Sequence, residues 1–169
     1  MSPERGRPQC AKFKAVRYFK RVLTGDECAI VVRRGSEPRL IRGPGSVRTL
    51  NRWRRVIVVD LRPFFVEVLD ENVVSKDGEV VMVDGAAEGH VTDPIAAATR
   101  VVDHKNATRQ IFQTAIRAAV KERPSSEIRD TPTQLESAVA HLVNEAVHSW
   151  GVVVSSLGVH LSTGREETN

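Results

Sequence analysis

His141, Glu145 and His148 stand at i, i+4 and i+7 of one stretch with helical periodicity, so they share a face. A histidine–carboxylate cluster of this kind is metal-ligand chemistry. The two histidines are seven positions apart, however, and two turns of helix separate them. One ion does not easily reach both, and the residues read as a solvated polar face. His104 follows Asp103, with Lys105, Arg109 and Asp93 nearby, which offers acid–base groups. No motif ties a serine or cysteine nucleophile to them. Gly43-Pro44-Gly45 lacks the glycine spacing and the Lys-Ser/Thr ending of a phosphate loop and reads as a turn. Cys10 lies among basic residues, where one acyl chain plus a polybasic patch would anchor a protein; the simpler reading is a free thiol. Cys10 and Cys28 are the only cysteines, too few for a disulfide framework or a cysteine-based metal site, so a reducing compartment is expected. No catalytic residue, metal or cofactor is expected.

The remaining chemistry is charge. Residues 1–62 carry 16 Lys and Arg against 5 Asp and Glu, whereas residues 63–169 carry 9 against 16. A basic third on an acidic body points to a polyanionic partner for that end, or to a solvated face. Within it, "KFKAVRYFKRVL" (12–23) spaces Phe13, Val16, Phe19 and Val22 or Leu23 between basic residues. That pattern predicts a short basic amphipathic helix able to lie on an anionic membrane, or else an element packed on the domain. "RGPGSVRTLNRWRR" (42–55) places five arginines and Trp53 around a Pro-Gly turn. The candidate membrane- or anion-contact residues are Lys12, Lys14, Arg17, Lys20, Arg21, Arg48, Arg52, Trp53, Arg54 and Arg55.

These residues need elements to hold them. Residues 1–11 are polar and expected to be disordered. "ECAIVVRRG" reads as a strand, then "RLIRGPG" as a strand entering a tight turn in which Gly45 takes positive φ. "RRVIVVDLRP" is a second long strand, and "FFVEVLD" continues extended. "NVVSKDGEVVMVD" flanks Asp77-Gly78 with β-branched runs, the signature of a two-residue hairpin. "GAAEGHV" continues as a looser strand. Asp93-Pro94 starts a helix and Asp103 caps a second. The second carries an apolar stripe of Ala107, Ile111, Ala115, Ala118 and Ala119, and Pro124 with the following serines breaks it. Thr131-Pro132-Thr133-Gln134 is a capping-box pattern. The helix after it places Leu135, Ala138, Val139, Leu142, Ala146 and Trp150 on one face and stops at Gly151. "VVVSSLGVHL" is a last strand. Strands segregated from three helical segments predict an α+β fold with a curved, mainly antiparallel sheet. A membrane span needs roughly 20 consecutive apolar residues, and the sequence holds no such run and no signal peptide.

The order of these stretches resembles the SPFH, or band-seven, superfamily of stomatins, prohibitins and flotillins, and most of all short prokaryotic stomatin-like proteins. "VVRRGSEPRLIRGPG", "RVIVVDLRP", "VVSKDGEVVMVDGAAEGHVTDPIAAA" and the helix pair closed by "SWGVVVSSLGVHL" carry the resemblance. It covers about Asp26 to Leu161. The organisation expected is a basic N-terminal segment (1–25), an SPFH-like domain (26–162) and a polar tail (163–169). The resemblance implies a non-enzymatic, membrane-associated scaffold that organises microdomains or regulates membrane proteins or membrane-bound proteases. It implies a homo-oligomer or a partner of other SPFH proteins, cytoplasmic and peripheral on the membrane.

Three departures from the family pattern shape the expectation. No hydrophobic segment precedes the domain, no long charged helix follows it, and Met1 with the polar tail suggests a complete short protein. The loop after Gly-Pro-Gly, apolar in the family, is here "SVRTLNRWRR". An arginine deep in lipid costs several kcal/mol, whereas beside anionic headgroups it gains on the order of ~1 kcal/mol. Charged surface attachment with Trp53 at the interface therefore replaces insertion. The alternative is a soluble protein-interaction module without direct lipid binding. Nucleic-acid binding by the basic third is a lesser alternative, since no recognition motif accompanies the charge.

Overall fold

The computed structural model describes residues 21–33, 35–48 and 54–161, without the Arg54 side chain. Cys10, Lys12, Lys14, Arg17, Lys20, Arg52 and Trp53 lie outside the described residues, as do the expected disordered start and the polar tail. The described chain runs β1 (Arg21–Leu23), β2 (Glu27–Arg33), β3 (Arg39–Arg42), β4 (Gly45–Val47), β5 (Arg54–Asp60), β6 (Phe64–Val74) and β7 (Val80–Val91). It continues with α1 (Pro94–Thr99), α2 (His104–Lys121), α3 (Ser125–Asp130), α4 (Pro132–His148) and β8 (Val152–Leu161). All strand pairings are antiparallel, in three sheets ordered β1–β4, β3–β2–β5 and β6–β7–β8. The α+β class is as expected.

The middle sheet is apolar on both faces, which is why Cys28, Ala29 and Ile30 are buried in succession. One face joins the main core through Cys28, Ile30 and Val59. The other packs Ala29 against Leu23 of β1 and Val47 of β4. Residues 21–23 are thus a strand, not the end of a helix: Leu23 turns inward and the segment pairs with β4. The Gly-Pro-Gly turn also differs from expectation. Gly43 and Pro44, joined by a cis peptide bond, carry the chain from β3 in one sheet to β4 in another, and Gly45 belongs to β4. Among the described residues the left-handed glycines are Gly35, Gly78 and Gly151.

The third sheet is covered on one face by α2 and α4. Val66, Val68, Val83 and Val159 point inward to Phe112, Ile116, Val139, Val143 and Val147. β6 alternates cleanly but changes phase midway. Val68 pairs with Gly85 and Glu71 with Val83, so Leu69 and Asp70 form a bulge opposite Asp84. Asp70 takes φ 54°, and its N–H donates to the Asp84 carboxylate at 2.7 Å. The bulge brings Glu71 to the inner face. There Gln113 donates at 2.6 Å and Arg117 at 2.5 Å, and the Arg117 bond, followed by that from Gln113, holds the Glu71 carboxyl below its usual range.

Asp93 and Asp103 cap α1 and α2, accepting backbone N–H groups at 2.9–3.1 Å. The α2 stripe is carried by Thr108, Phe112, Ala115, Ile116, Ala119 and Val120, while Ala118 is exposed. On α4 the buried line is Leu135, Val139, Val143 and Val147, spaced by four; Ala138, Ala146 and Trp150 flank it and Leu142 is exposed. The Thr131 capping box does not form. A short extra helix, α3, follows Pro124, and the Thr131 hydroxyl donates to Glu127 O at its end instead.

Asp77-Gly78 does turn the hairpin, but as a Ser75–Gly78 turn with only Gly78 left-handed, in place of the two-residue form. The Asp77 carboxylate accepts from the Ser75 hydroxyl and, across 48 positions, from the Ser125 N–H (3.1 Å) and hydroxyl (2.9 Å). It is therefore a tertiary cap for α3. The Ser75 hydroxyl first, then that of Ser125, hold its carboxyl down at about 2. Because the folded value lies below the unfolded one, this stability is present above about pH 4 and is lost as pH falls through the folded value. Urea midpoints at stepped pH should show a flatter acid limb for Asp77→Asn than for the wild type. Identical limbs would remove Asp77 from this role.

Candidate basic surface of the middle sheet

The antiparallel register places the arginines. Arg33 of β2 lies opposite Arg54 of β5, Val32 opposite Arg55, and Val31 opposite Arg39 of β3. Four arginines from three strands therefore meet at one end of the sheet. Strands sit about 4.8 Å apart, so this is a compact cationic edge. Arg33, Arg39 and Arg55 are exposed, and none is in an ion pair among the described residues. Arg48 is exposed where the chain leaves β4 towards β5.

The opposite end is electrostatically different. Glu27 pairs across from Asp60 there. Arg62 grips Asp60 through Nε (3.0 Å) and Nη2 (2.8 Å), and this hydrogen bonding holds the Asp60 carboxyl at about 2. Arg21 pairs with Glu27 at 3.6 Å. At this end Arg21 and Arg62 are matched by carboxylates, while Arg42, opposite Cys28, is exposed. At the other, the described cations face solvent, and the nearby carboxylate in the β2–β3 turn, Glu37, is exposed as well.

Among the expected contact residues, the structure places Arg54 and Arg55 at successive positions of β5 at this end, leaves Arg48 exposed nearby in the chain, and commits Arg21 to Glu27. Arg33 and Arg39 were not singled out from sequence. The signal was available: a Gly-containing turn between "VVRR" and "RLIR" folds both arginine ends onto one edge.

The other candidate clusters do not assemble. His141 and Glu145 are 4.0 Å apart on the exposed face of α4, and no metal-ligating group of three occurs among the described residues. His104 is half-buried at the start of α2, edge-on to Phe64 with centroids 5.4 Å apart. Its Nε2 is buried without a hydrogen-bond partner, and burial lowers its pKa. Asp93 and Asp103 are occupied as helix caps.

The SPFH domain / Band 7 family model matches residues 21–162, and the chain belongs to that family. It is 29% identical to an uncharacterised protein of Archaeoglobus fulgidus over 82% of this chain and 55% of the relative. It is 28% identical to a stomatin homolog of Pyrococcus horikoshii over 70% of this chain and 44% of that one. It is 30% identical to human stomatin-like protein 1 over 81% of this chain and 34% of that one. The chain thus spans about half or less of the length of these relatives. No helix among the described residues is long and apolar enough to cross a membrane.

Proposed function

We propose that this domain is a non-enzymatic, membrane-associated scaffold of the SPFH type, held peripherally on an anionic surface by the cationic edge of its middle sheet. Family membership supports the scaffold role in general. The register that gathers Arg33, Arg39, Arg54 and Arg55 carries the specific reading, with Arg48, Arg52 and Trp53 following from the adjoining loop. Lys12, Lys14, Arg17, Lys20 and Arg21 are proposed as a second anion-contact segment, apart from this edge. Microdomain organisation, or regulation of membrane proteins or proteases by a self-assembled form, is the activity such a scaffold would serve.

Each arginine near anionic headgroups contributes about 1 kcal/mol. Replacing Arg33, Arg39 and Arg55 together with glutamine is expected to weaken binding to phosphatidylserine vesicles about 100-fold. Co-sedimentation reads this, and the wild-type interaction should fade as salt shortens the Debye length. Equal binding to phosphatidylcholine vesicles, or no loss in the triple variant, would defeat the proposal. A salt-sensitive mobility shift with nucleic acid, without vesicle binding, would favour the lesser alternative.

A further inference from the structure

β6 forms one margin of the third sheet, bonded to β7 alone among the described residues. It is 11 residues long, roughly 36 Å at ordinary strand rise. Edge strands in natural proteins are kept short, charged or covered, because their free N–H and C=O groups recruit other chains. This one carries Glu67 and the Leu69–Asp70 bulge, yet still exposes Phe65 (71%) and Leu69 (66%) on its outer face. β8, the margin on the other side, exposes Ser155, Ser156 and His160. Apolar exposure is therefore specific to the β6 side.

α2 runs beside that margin. Lys105 and Arg109 line a shallow groove of about 730 Å³ with Phe65, Glu67 and Leu69. Neither cation belongs to an ion pair among the described residues. Lys105 Nζ instead lies 5.7 Å from the centre of the Phe64 ring.

We propose that β6 is a strand-addition site for an extended acidic segment of a partner protein. An added strand alternates its side chains between two faces. On the outer face, apolar side chains would cover Phe65 and Leu69, and carboxylates are excluded beside Glu67. On the inner face, carboxylates would reach Lys105 and Arg109. The recognised pattern is apolar and acidic residues in alternation. Lipid is the poorer occupant, because hydrocarbon cannot satisfy the free backbone groups of a strand edge.

The test uses the full chain and a fluorescein-labelled peptide alternating valine and glutamate, with a valine–lysine peptide as control. Fluorescence polarisation should favour the glutamate peptide about tenfold, the size expected of two partly exposed ion pairs. The Lys105→Glu, Arg109→Glu double variant should reverse the preference, and amide exchange should slow along β6 when peptide is bound. Phe65→Asp with Leu69→Asp, both at exposed positions, should weaken binding without lowering thermal stability. Absence of binding, equal affinity for both peptides, or protection away from β6 overturns the proposal. So does a Phe65→Asp, Leu69→Asp variant that loses phosphatidylserine vesicles when no peptide binds, which would assign the patch to lipid. The peptide measurements contain no membrane, so they fail or succeed independently of the arginine edge.

Discussion

Gly43→Ala should destabilise the domain by about 3 kcal/mol or more, as a shift in urea midpoint at unchanged slope. A Cβ at this position would stand 1.8 Å from Thr24 O and 3.0 Å from Glu27 O. Both are backbone atoms, of the β1–β2 turn and of the first residue of β2, so no rotamer change relieves the clash. The Gly43 N–H also donates to Glu27 O at 3.0 Å, which holds the two segments at this distance. Accommodating a methyl group means displacing the β1–β2 turn. That displacement disturbs the Leu23–Ala29–Val47 cluster on the second face of the middle sheet. Gly45→Ala is the control: nothing lies within 4 Å of its Cβ position, and its effect should stay within about 0.5 kcal/mol. Comparable stability of the two variants would show that close approach is not what selects glycine at Gly43.

The second large effect concerns Phe112, fully buried at the centre of the main core. Truncating a buried phenylalanine to alanine costs about 3–5 kcal/mol, and Phe112→Ala is expected in that range. The ring occupies space left by Gly85 of β7. A Cβ on Gly85 would come within 2.7 Å of the ring tip and 3.1 Å of Ile116 Cδ1. Gly85→Ala should therefore cost about 1–3 kcal/mol by overpacking in the wild type. In a Phe112→Leu background the added methyl group no longer meets a ring, and the penalty should largely vanish. A double-mutant cycle measures this coupling, expected at about 1 kcal/mol or more. Strict additivity would mean that the glycine serves the strand and not the ring.

Much of this arrangement is legible locally. The apolar runs of β2 and β5, the alternation of β6, and the caps at Asp93 and Asp103 are properties of neighbours a few positions apart. They fall where period and cap chemistry place them. Most of the misplaced features depend on distant partners, and one, Thr131, on a competing local one. Asp77 has the residue types of a two-residue hairpin turn, yet its side chain is drawn to Ser125, and α3 forms where Pro124 and serines predicted only a break. Thr131 has cap chemistry, but its hydroxyl is taken by the helix before it. Leu142 has the spacing of the α4 stripe, but the line that meets the sheet runs through Val143 and Val147. Segment 21–23 reads as helix by spacing and is a strand because β4 pairs with it.

The candidate site divides in the same way. Sequence alone determined the excess of cations in residues 1–62, the strands that hold several of them and the SPFH resemblance, because composition and short-range period are local quantities. Only the tertiary structure decided that Arg33 and Arg39 join Arg54 and Arg55 on one edge and that Arg21 and Arg62 are matched by Glu27 and Asp60. Cross-strand register is settled by backbone pairing and by burial of both sheet faces. For the β2–β5 pairs that bring Arg33 and Arg39 to Arg54 and Arg55, those terms act between residues about twenty positions apart, beyond the reach of a local pattern.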